Sequence, residues 1–369
     1  MAIVLMSSLS SWAGGGKEPS LITVEAETGM VLYEKNADVV RPPASMIKLM
    51  QLLLVSEGLR EGKWTLDQPI TASRKAQRMG GTQVYLEAGD VFALEHLMKA
   101  VSVASANDAA MAVAEGLWGS EEAYKEAMNT RAQELGMSSS KFHSVHGLPP
   151  SRGNEYDQTT ARDMALLGRA CVLESQVLEW TNLREFQFRP GEAKKLSTNK
   201  LLRRRADMDG LKTGFISAAG FCITATLEKD GVRVIAVLMG FQDKYKRFNE
   251  AERLLDEGVV AMRRGQLVAK GTEEAPLVTV ENCETPTLQL EVSAEIELLV
   301  RRAEWENIEL VWEYPKSVSA PIKKGDKIGT VSAVLGGKVL GESELLASSD
   351  LEEASWTWKV EQTVFAFFE

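Results

Sequence analysis

Residues 45 to 56 read Ser-Met-Ile-Lys-Leu-Met-Gln-Leu-Leu-Leu-Val-Ser, and their apolar side chains cover every face of a helix rather than one stripe. A helix that is apolar all round must be buried, so the fold is organised around this segment. Pro42 and Pro43 stand just before it. The residue preceding a proline is biased away from helix, which places the helix start near Ala44 or Ser45. Positions i and i+3 share a helix face, so the Ser45 hydroxyl and the Lys48 amine can meet. Burial makes a lysine cation costly and lowers its pKa, toward a value at which the amine can take a proton from serine. Taken alone, the pair fits a plainer account better, in which Ser45 caps the helix and Lys48 reaches to the surface.

At 369 residues the chain exceeds one ordinary core and is expected to form two domains, or one large domain with an appendage. Its 44% hydrophobic and 25% charged content is that of a soluble globular protein. A net charge of -10 argues against a nucleic-acid partner, which requires a basic face; the run Arg203-Arg204-Arg205 reads as a solvated loop. Cys171, Cys222 and Cys283 are widely spaced and odd in number, giving neither a metal spacing nor a disulfide framework, and read as buried thiols. Residues 1–18 begin with an apolar run from Met1 to Ala13, read as a signal-peptide remnant or a disordered N-terminus. No later segment has the roughly 18 uninterrupted apolar residues of a membrane-spanning helix.

Along the chain, Leu21 to Glu34 reads as a β-hairpin that delivers the buried helix. The apolar spacing from Val91 to Ala104 predicts a second helix, followed by Ser105-Ala106-Asn107. Ser105 and Asn107 point the same way only in a tight turn or an extended segment; otherwise they serve as a cap for the helix over Asp108 to Trp118. Helices are predicted over Glu121 to Glu134, over Thr159 to Val172 with Thr160 as its cap, and over Arg247 to Met262. His143 and His146 lie in a loop at i and i+3 without a Cys or carboxylate cluster, whereas a catalytic zinc needs three protein ligands, so no metal is expected. Lys212-Thr213-Gly214 is expected on a strand leading into a hairpin of Ala219 to Leu227 and Val232 to Gly240, where Gly allows a ligand close backbone approach. Beyond Gly265, short alternating runs predict a small β-sandwich or barrel. Ser355 to Glu369 places Trp356, Val360, Val364, Phe367 and Phe368 on one face at helical spacing, a pattern that fits a membrane interface or a protein surface.

Three motifs thus stand in order: Ser45-Met46-Ile47-Lys48, Ser105-Ala106-Asn107 and Lys212-Thr213-Gly214. Each is weak alone, and together they match the trio of β-lactamases and penicillin-binding proteins. The sequence resembles the D-alanyl-D-alanine carboxypeptidases, low-molecular-mass penicillin-binding proteins of the peptidase S11 family. The likeness covers nearly the whole chain and includes Thr198-Asn199-Lys200-Leu201-Leu202 and Pro321-Ile322-Lys323-Lys324-Gly325. It implies an α/β (α+β) fold: a β-lactamase/transpeptidase-like catalytic domain over 19–265, with a central antiparallel sheet and a helical cluster, then a C-terminal β-sandwich domain over 266–350. Residues 351–369 follow as an amphipathic segment and candidate membrane anchor.

The resemblance also implies the chemistry. Ser45 is the nucleophile, Lys48 its base, and Ser105 a proton relay toward the leaving amine. Asn107, Lys212, Thr213, Gly214, Phe215 and Arg247 bind the substrate, with the backbone N–H groups of Ser45 and Phe215 as the oxyanion hole. The substrate is the peptidoglycan stem pentapeptide, β-lactam antibiotics are covalent inhibitors, no cofactor or metal is required, and the location is periplasmic or extracytoplasmic. Phe215 stands where some relatives carry histidine, and Arg247 is placed only by its spacing from Gly240. A β-lactamase would share the motifs, and a non-catalytic peptidoglycan-binding protein would keep the fold without the chemistry.

Overall fold

A computed structural model of the chain describes residues 18–365, apart from 152–153 and 273–274. The leader reading for residues 1–17 and the last residues of the amphipathic segment, 366–369, lie outside the described residues. The chain divides into two compact units between Val259 and Val260.

The first unit is built on a five-stranded antiparallel sheet in the order Val31–Lys35, Ser20–Glu25, Val232–Phe241, Gly220–Lys229, Met208–Ile216. The expected hairpins are there, and the Lys-Thr-Gly strand Met208–Ile216 is a sheet edge, paired among the described residues only with Gly220–Lys229. The two central strands are buried almost continuously because helices cover both faces. Consecutive strand residues point to opposite faces. A Cβ on Gly168, in helix Ala161–Leu173, would stand 3.2 Å from Ile235, whereas one on Gly258, in helix Lys246–Ala261, would stand 2.7 Å from Val234. The two helices therefore press on opposite faces of one strand.

The all-round apolar segment becomes a 3₁₀ turn, Ala44–Ile47, continued by the α-helix Lys48–Arg60, with Leu49, Met50, Leu52, Leu53 and Val55 at most 1% exposed. Gln51, one turn beyond Lys48, donates to the Ala110 carbonyl at 2.8 Å and ties this helix to helix Asn107–Trp118. Helix Glu121–Glu134 has the predicted bounds, and the Thr160 hydroxyl caps the next helix by accepting from Asp163 N at 3.0 Å.

The helix expected from Val91 to Ala104 is shorter at its start. Val91–Ala93 is a strand paired with Pro69–Thr71, the helix proper is Leu94–Lys99, and Ala100–Ala104 widens into a π turn. Phe92 and Leu94 are two apart, a spacing that fits a strand as well as a helix, and the pairing of Phe92 with Ile70 decides for the strand.

The second unit is all β apart from the turn Arg302–Asn307 and its last helix. Strand Met262–Val268 pairs with Ile296–Arg301, and a six-stranded sheet runs Glu309–Glu313, Lys327–Leu335, Lys338–Ala347, Thr287–Val292, Leu277–Glu281, Ser317–Ser319. Burial alternates along Leu277–Glu281, as the sequence pattern requires of a half-buried strand. Helix Trp356–Phe365 follows, with Trp356 78% exposed. Cys171, Cys222 and Cys283 are all buried and free.

Candidate active site

The site begins with a tight backbone. Arg41 and Thr159 exchange main-chain hydrogen bonds of 2.8 and 3.0 Å, Pro42 and Pro43 follow, and Ala44 turns through the left-handed region at φ 49° while fully buried. A non-glycine residue there is uncommon and costs conformational energy. Ser45 is consequently inside the 3₁₀ turn and not its cap; the cap position is Pro43, and no side chain fills it.

Lys48 is 0% exposed and does not reach the surface. Its amine lies 3.0 Å from Ser45 Oγ, 2.7 Å from Asn107 Oδ1 and 2.9 Å from the His146 carbonyl. An amide oxygen and a carbonyl can only accept, so a neutral amine spends its two N–H bonds on them. Its lone pair is then directed at the Ser45 hydroxyl, which can donate. Burial holds the Lys48 pKa well below the ordinary lysine range, the Lys212 charge lowers it further, and Asp157 and Asp108 oppose the shift. The neutral base is thus the form this environment favours.

Asn107 opens its helix without capping it. Its Nδ2 donates to the Gly80 carbonyl at 2.7 Å and its backbone N–H to the Thr82 carbonyl at 2.8 Å. Next to it, the buried Asp108 carboxylate accepts from the N–H groups of Val84 and Leu86, with contacts of 3.0 to 3.2 Å, and so clamps residues 82–86 against the site. Ser105 ends the π turn at φ 60° and ψ 33° and is 5% exposed; its hydroxyl has no hydrogen-bond partner among the described residues.

The Lys-Thr-Gly strand closes the other wall. A Cβ on Gly214 would stand 2.7 Å from the Pro43 carbonyl and 3.2 Å from Met46 N, so only glycine lets this strand lie against the serine turn. Lys212 is buried, and burial, helped by the Arg247 charge, pushes its pKa down to about 7. Thr213 follows, 6% exposed. Phe215, 52% exposed, stacks on Phe221 with ring centroids 4.3 Å apart. The Arg247 Nη1 donates to the carbonyls of Gly214 and Cys222 at 3.0 and 2.7 Å, and the guanidinium carbon lies over the rings of Phe221 and Phe248. Ser45, Lys48 and Asn107 are therefore one hydrogen-bonded cluster, Lys212 and Gly214 belong to the strand that abuts it, and Arg247 reaches that strand from helix Lys246–Ala261. Ser105 and Thr213 are held by their backbone neighbours.

Residues 17–243 match the family described as D-alanyl-D-alanine carboxypeptidase, and residues 265–353 match the C-terminal domain of penicillin-binding protein 5. The D-alanyl-D-alanine carboxypeptidase DacF of Bacillus subtilis (strain 168) is 32% identical over 94% of this chain and 88% of its own. The chain belongs to the D-alanyl-D-alanine carboxypeptidase family. The carboxypeptidase is also similar in structure to a peptidoglycan synthesis regulatory factor (PBP3) of Streptococcus pneumoniae, at TM-score 0.70 and 27% identity over 92% of this chain and all of that one. Penicillin-binding protein D2 of Listeria monocytogenes, in the ampicillin-bound form, is 33% identical over 65% of this chain and 96% of that one, at TM-score 0.58.

In the carboxypeptidase, sequence reading missed the groups that orient the base. The carbonyls of His146 and Gly80 and the carboxylates of Asp108 and Asp157 all act here. Asp157 accepts from the N–H groups of His143 and Ser144 and from the Ser144 hydroxyl, at 2.6 to 2.9 Å, and so shapes the loop that presents the His146 carbonyl. Burial, helped by the Lys48 charge, pushes the His146 imidazole down to about 4, so the ring is neutral at pH 7. Gly147 was the available signal: it adopts φ 79°, and a Cβ there would lie 2.1 Å from the Ala44 carbonyl.

Proposed function

We propose that this carboxypeptidase removes the terminal D-alanine from peptidoglycan stem pentapeptides through an acyl-enzyme on Ser45, and that β-lactams acylate the same hydroxyl. The observation that carries this reading is the 3.0 Å contact between a fully buried Lys48 amine and Ser45 Oγ. Lys48 takes the hydroxyl proton as Ser45 Oγ attacks the carbonyl between the two D-alanines. Backbone N–H groups of Ser45 and Phe215 receive the developing oxyanion. Support comes from their positions: Ser45 lies in the first turn of a helix, whose N–H groups lack helical partners, and Phe215 lies on a sheet edge. The C–N bond then breaks, Ser105 passes a proton to the departing amine, and D-alanine leaves. Water adds to the Ser45 ester, releasing the tetrapeptide carboxylate and restoring the hydroxyl.

Asn107 holds the substrate amide, Lys212 supplies positive field, and Thr213 with Arg247 holds the terminal carboxylate. Gly214 lets the strand approach, and Phe215 contributes its backbone. The reaction is extracytoplasmic, where peptidoglycan is. Among the described residues no helix is long and apolar enough to cross a membrane. The exposed Trp356 and Val360 support peripheral membrane contact by the last segment; loss of liposome flotation on deleting 355–369 tests that, and unchanged flotation removes it.

A fluorescent penicillin should label the wild type one to one, and Ser45→Ala should not label. Release of D-alanine from a pentapeptide decides the activity; rapid turnover of penicillin without D-alanine release would make the chain a β-lactamase instead.

A further inference from the structure

Among the described residues Tyr85 is the most exposed aromatic of the catalytic unit, 70% exposed, and its backbone lies in the left-handed region at φ 58°. For a bulky residue that conformation is a true outlier, kept only where the surroundings enforce it. Here four groups enforce it. The Val84 and Leu86 N–H groups on either side are held by the Asp108 carboxylate. The Val84 and Tyr85 carbonyls accept from Arg189 at 2.7 and 3.1 Å. Arg189 is itself fixed by Asp90 at 3.0 Å and by the faces of Phe92 and Phe188. The protein thus spends a clamp on holding a ring out into solvent.

The ring is near the catalytic cluster. Tyr85 is three residues from Thr82, whose carbonyl accepts from Asn107 N, and three residues span at most about 11 Å. Lys195 lies on its face, with the amine 5.6 Å from the ring centroid and no carboxylate partner among the described residues. Lys195 is in turn three residues from Thr198, whose N–H donates to the Val103 carbonyl, two residues before Ser105. The ring and the cation therefore flank the turn that carries Ser105 and Asn107.

We infer that Tyr85 and Lys195 form a subsite for the acidic upstream part of the substrate, the second residue of the stem peptide with its free carboxylate. This rests on the proposed function and names what else of the substrate the enzyme reads. A stem residue two positions before the scissile D-alanine lies about 7–10 Å upstream along an extended chain, and Tyr85 is tied within three residues of the Thr82 carbonyl that bonds Asn107. The ring packs on the peptide backbone, and Lys195 pairs with the carboxylate.

The test compares D-alanine release from L-Ala-γ-D-Glu-L-Lys-D-Ala-D-Ala, from the same pentapeptide bearing its disaccharide, and from diacetyl-L-Lys-D-Ala-D-Ala, which lacks the acidic residue. Tyr85→Gly, which relieves the left-handed backbone, and Lys195→Ala should each raise KM for both pentapeptides about fivefold at little change in kcat. The ratio of kcat/KM between pentapeptide and short substrate should fall by the same factor, and Tyr85→Phe should restore it. An unchanged ratio in both variants overturns the subsite, as does an effect confined to the disaccharide-bearing substrate, which would assign the ring to glycan. If the wild type releases D-alanine from none of the three, the proposed function itself fails, and that outcome is distinct from an unchanged ratio.

Discussion

The Lys48 amine is bound more closely to Asn107 than to the nucleophile, at 2.7 Å from Asn107 Oδ1 against 3.0 Å from Ser45 Oγ. The neutral amide beside it leaves the lysine free to be a base. Asn107→Asp would put a carboxylate at that distance, favouring the ammonium and raising the Lys48 pKa. The acid limb of the penicillin acylation rate should move to higher pH. An unmoved limb would remove Lys48 as the titrating base.

Lys48→Ala removes the side chain that, among the described residues, hydrogen-bonds the Ser45 hydroxyl. The acylation rate constant should fall by about 10²–10⁴ with the circular dichroism spectrum unchanged. Lys48→Arg should be as inactive, because a guanidinium does not surrender its proton.

Lys212 titrates near pH 7 in the fold because burial disfavours its cation. Its positive field is present below that pH and lost above it, so KM for a carboxylate-terminated substrate should rise as pH passes from 6 to about 8, and Lys212→Arg should flatten that rise. The stability consequence has the opposite direction. An unfolded lysine titrates near 10.4, so between about 7 and 10.4 the unfolded chain binds more protons, and the Lys212 contribution to stability rises with pH across that window. Urea unfolding of wild type against Lys212→Met at pH 7 and pH 9 measures it; a difference that does not change with pH would place the folded pKa outside the window.

Gly147→Ala should be costly because its Cβ would collide with the Ala44 carbonyl at 2.1 Å on a backbone of φ 79°. A loss of about 2 kcal/mol or more in urea unfolding is expected. Penicillin labelling should slow as well, since Ala44 immediately precedes the nucleophile.

Burial raises the Cys222 thiol to about 11 and the Cys171 thiol well above its ordinary range, and Cys283 is buried too. A thiol-specific disulfide reagent should therefore titrate no thiol in the folded protein and three after unfolding. A fast-reacting native thiol would contradict this packing.

Much of the architecture was legible because local signals and global fold agree here. All-round apolarity marked the helix from Lys48, the Thr160 hydroxyl its helix start, and turn residues between β-rich runs the central hairpin. The reading failed at Val91–Ala93, where residues two apart satisfy both periods and a distant partner strand chose between them. The three motifs were visible for a similar reason: serine, lysine, asparagine and threonine announce their chemistry by type.

What the amino-acid order determined by itself is therefore which side chains exist to do the chemistry and which segments must be buried. The tertiary structure alone decided how the base is held. The carbonyls of His146 and Gly80 and the left-handed Ala44 are main-chain features, and every residue carries the same carbonyl, so no pattern of side chains reports which of them will face Lys48 or its partner Asn107. Folding the loop around Asp157 and laying the Gly214 strand against the serine turn settle it, because only then is the amine desolvated and its lone pair left pointing at Ser45.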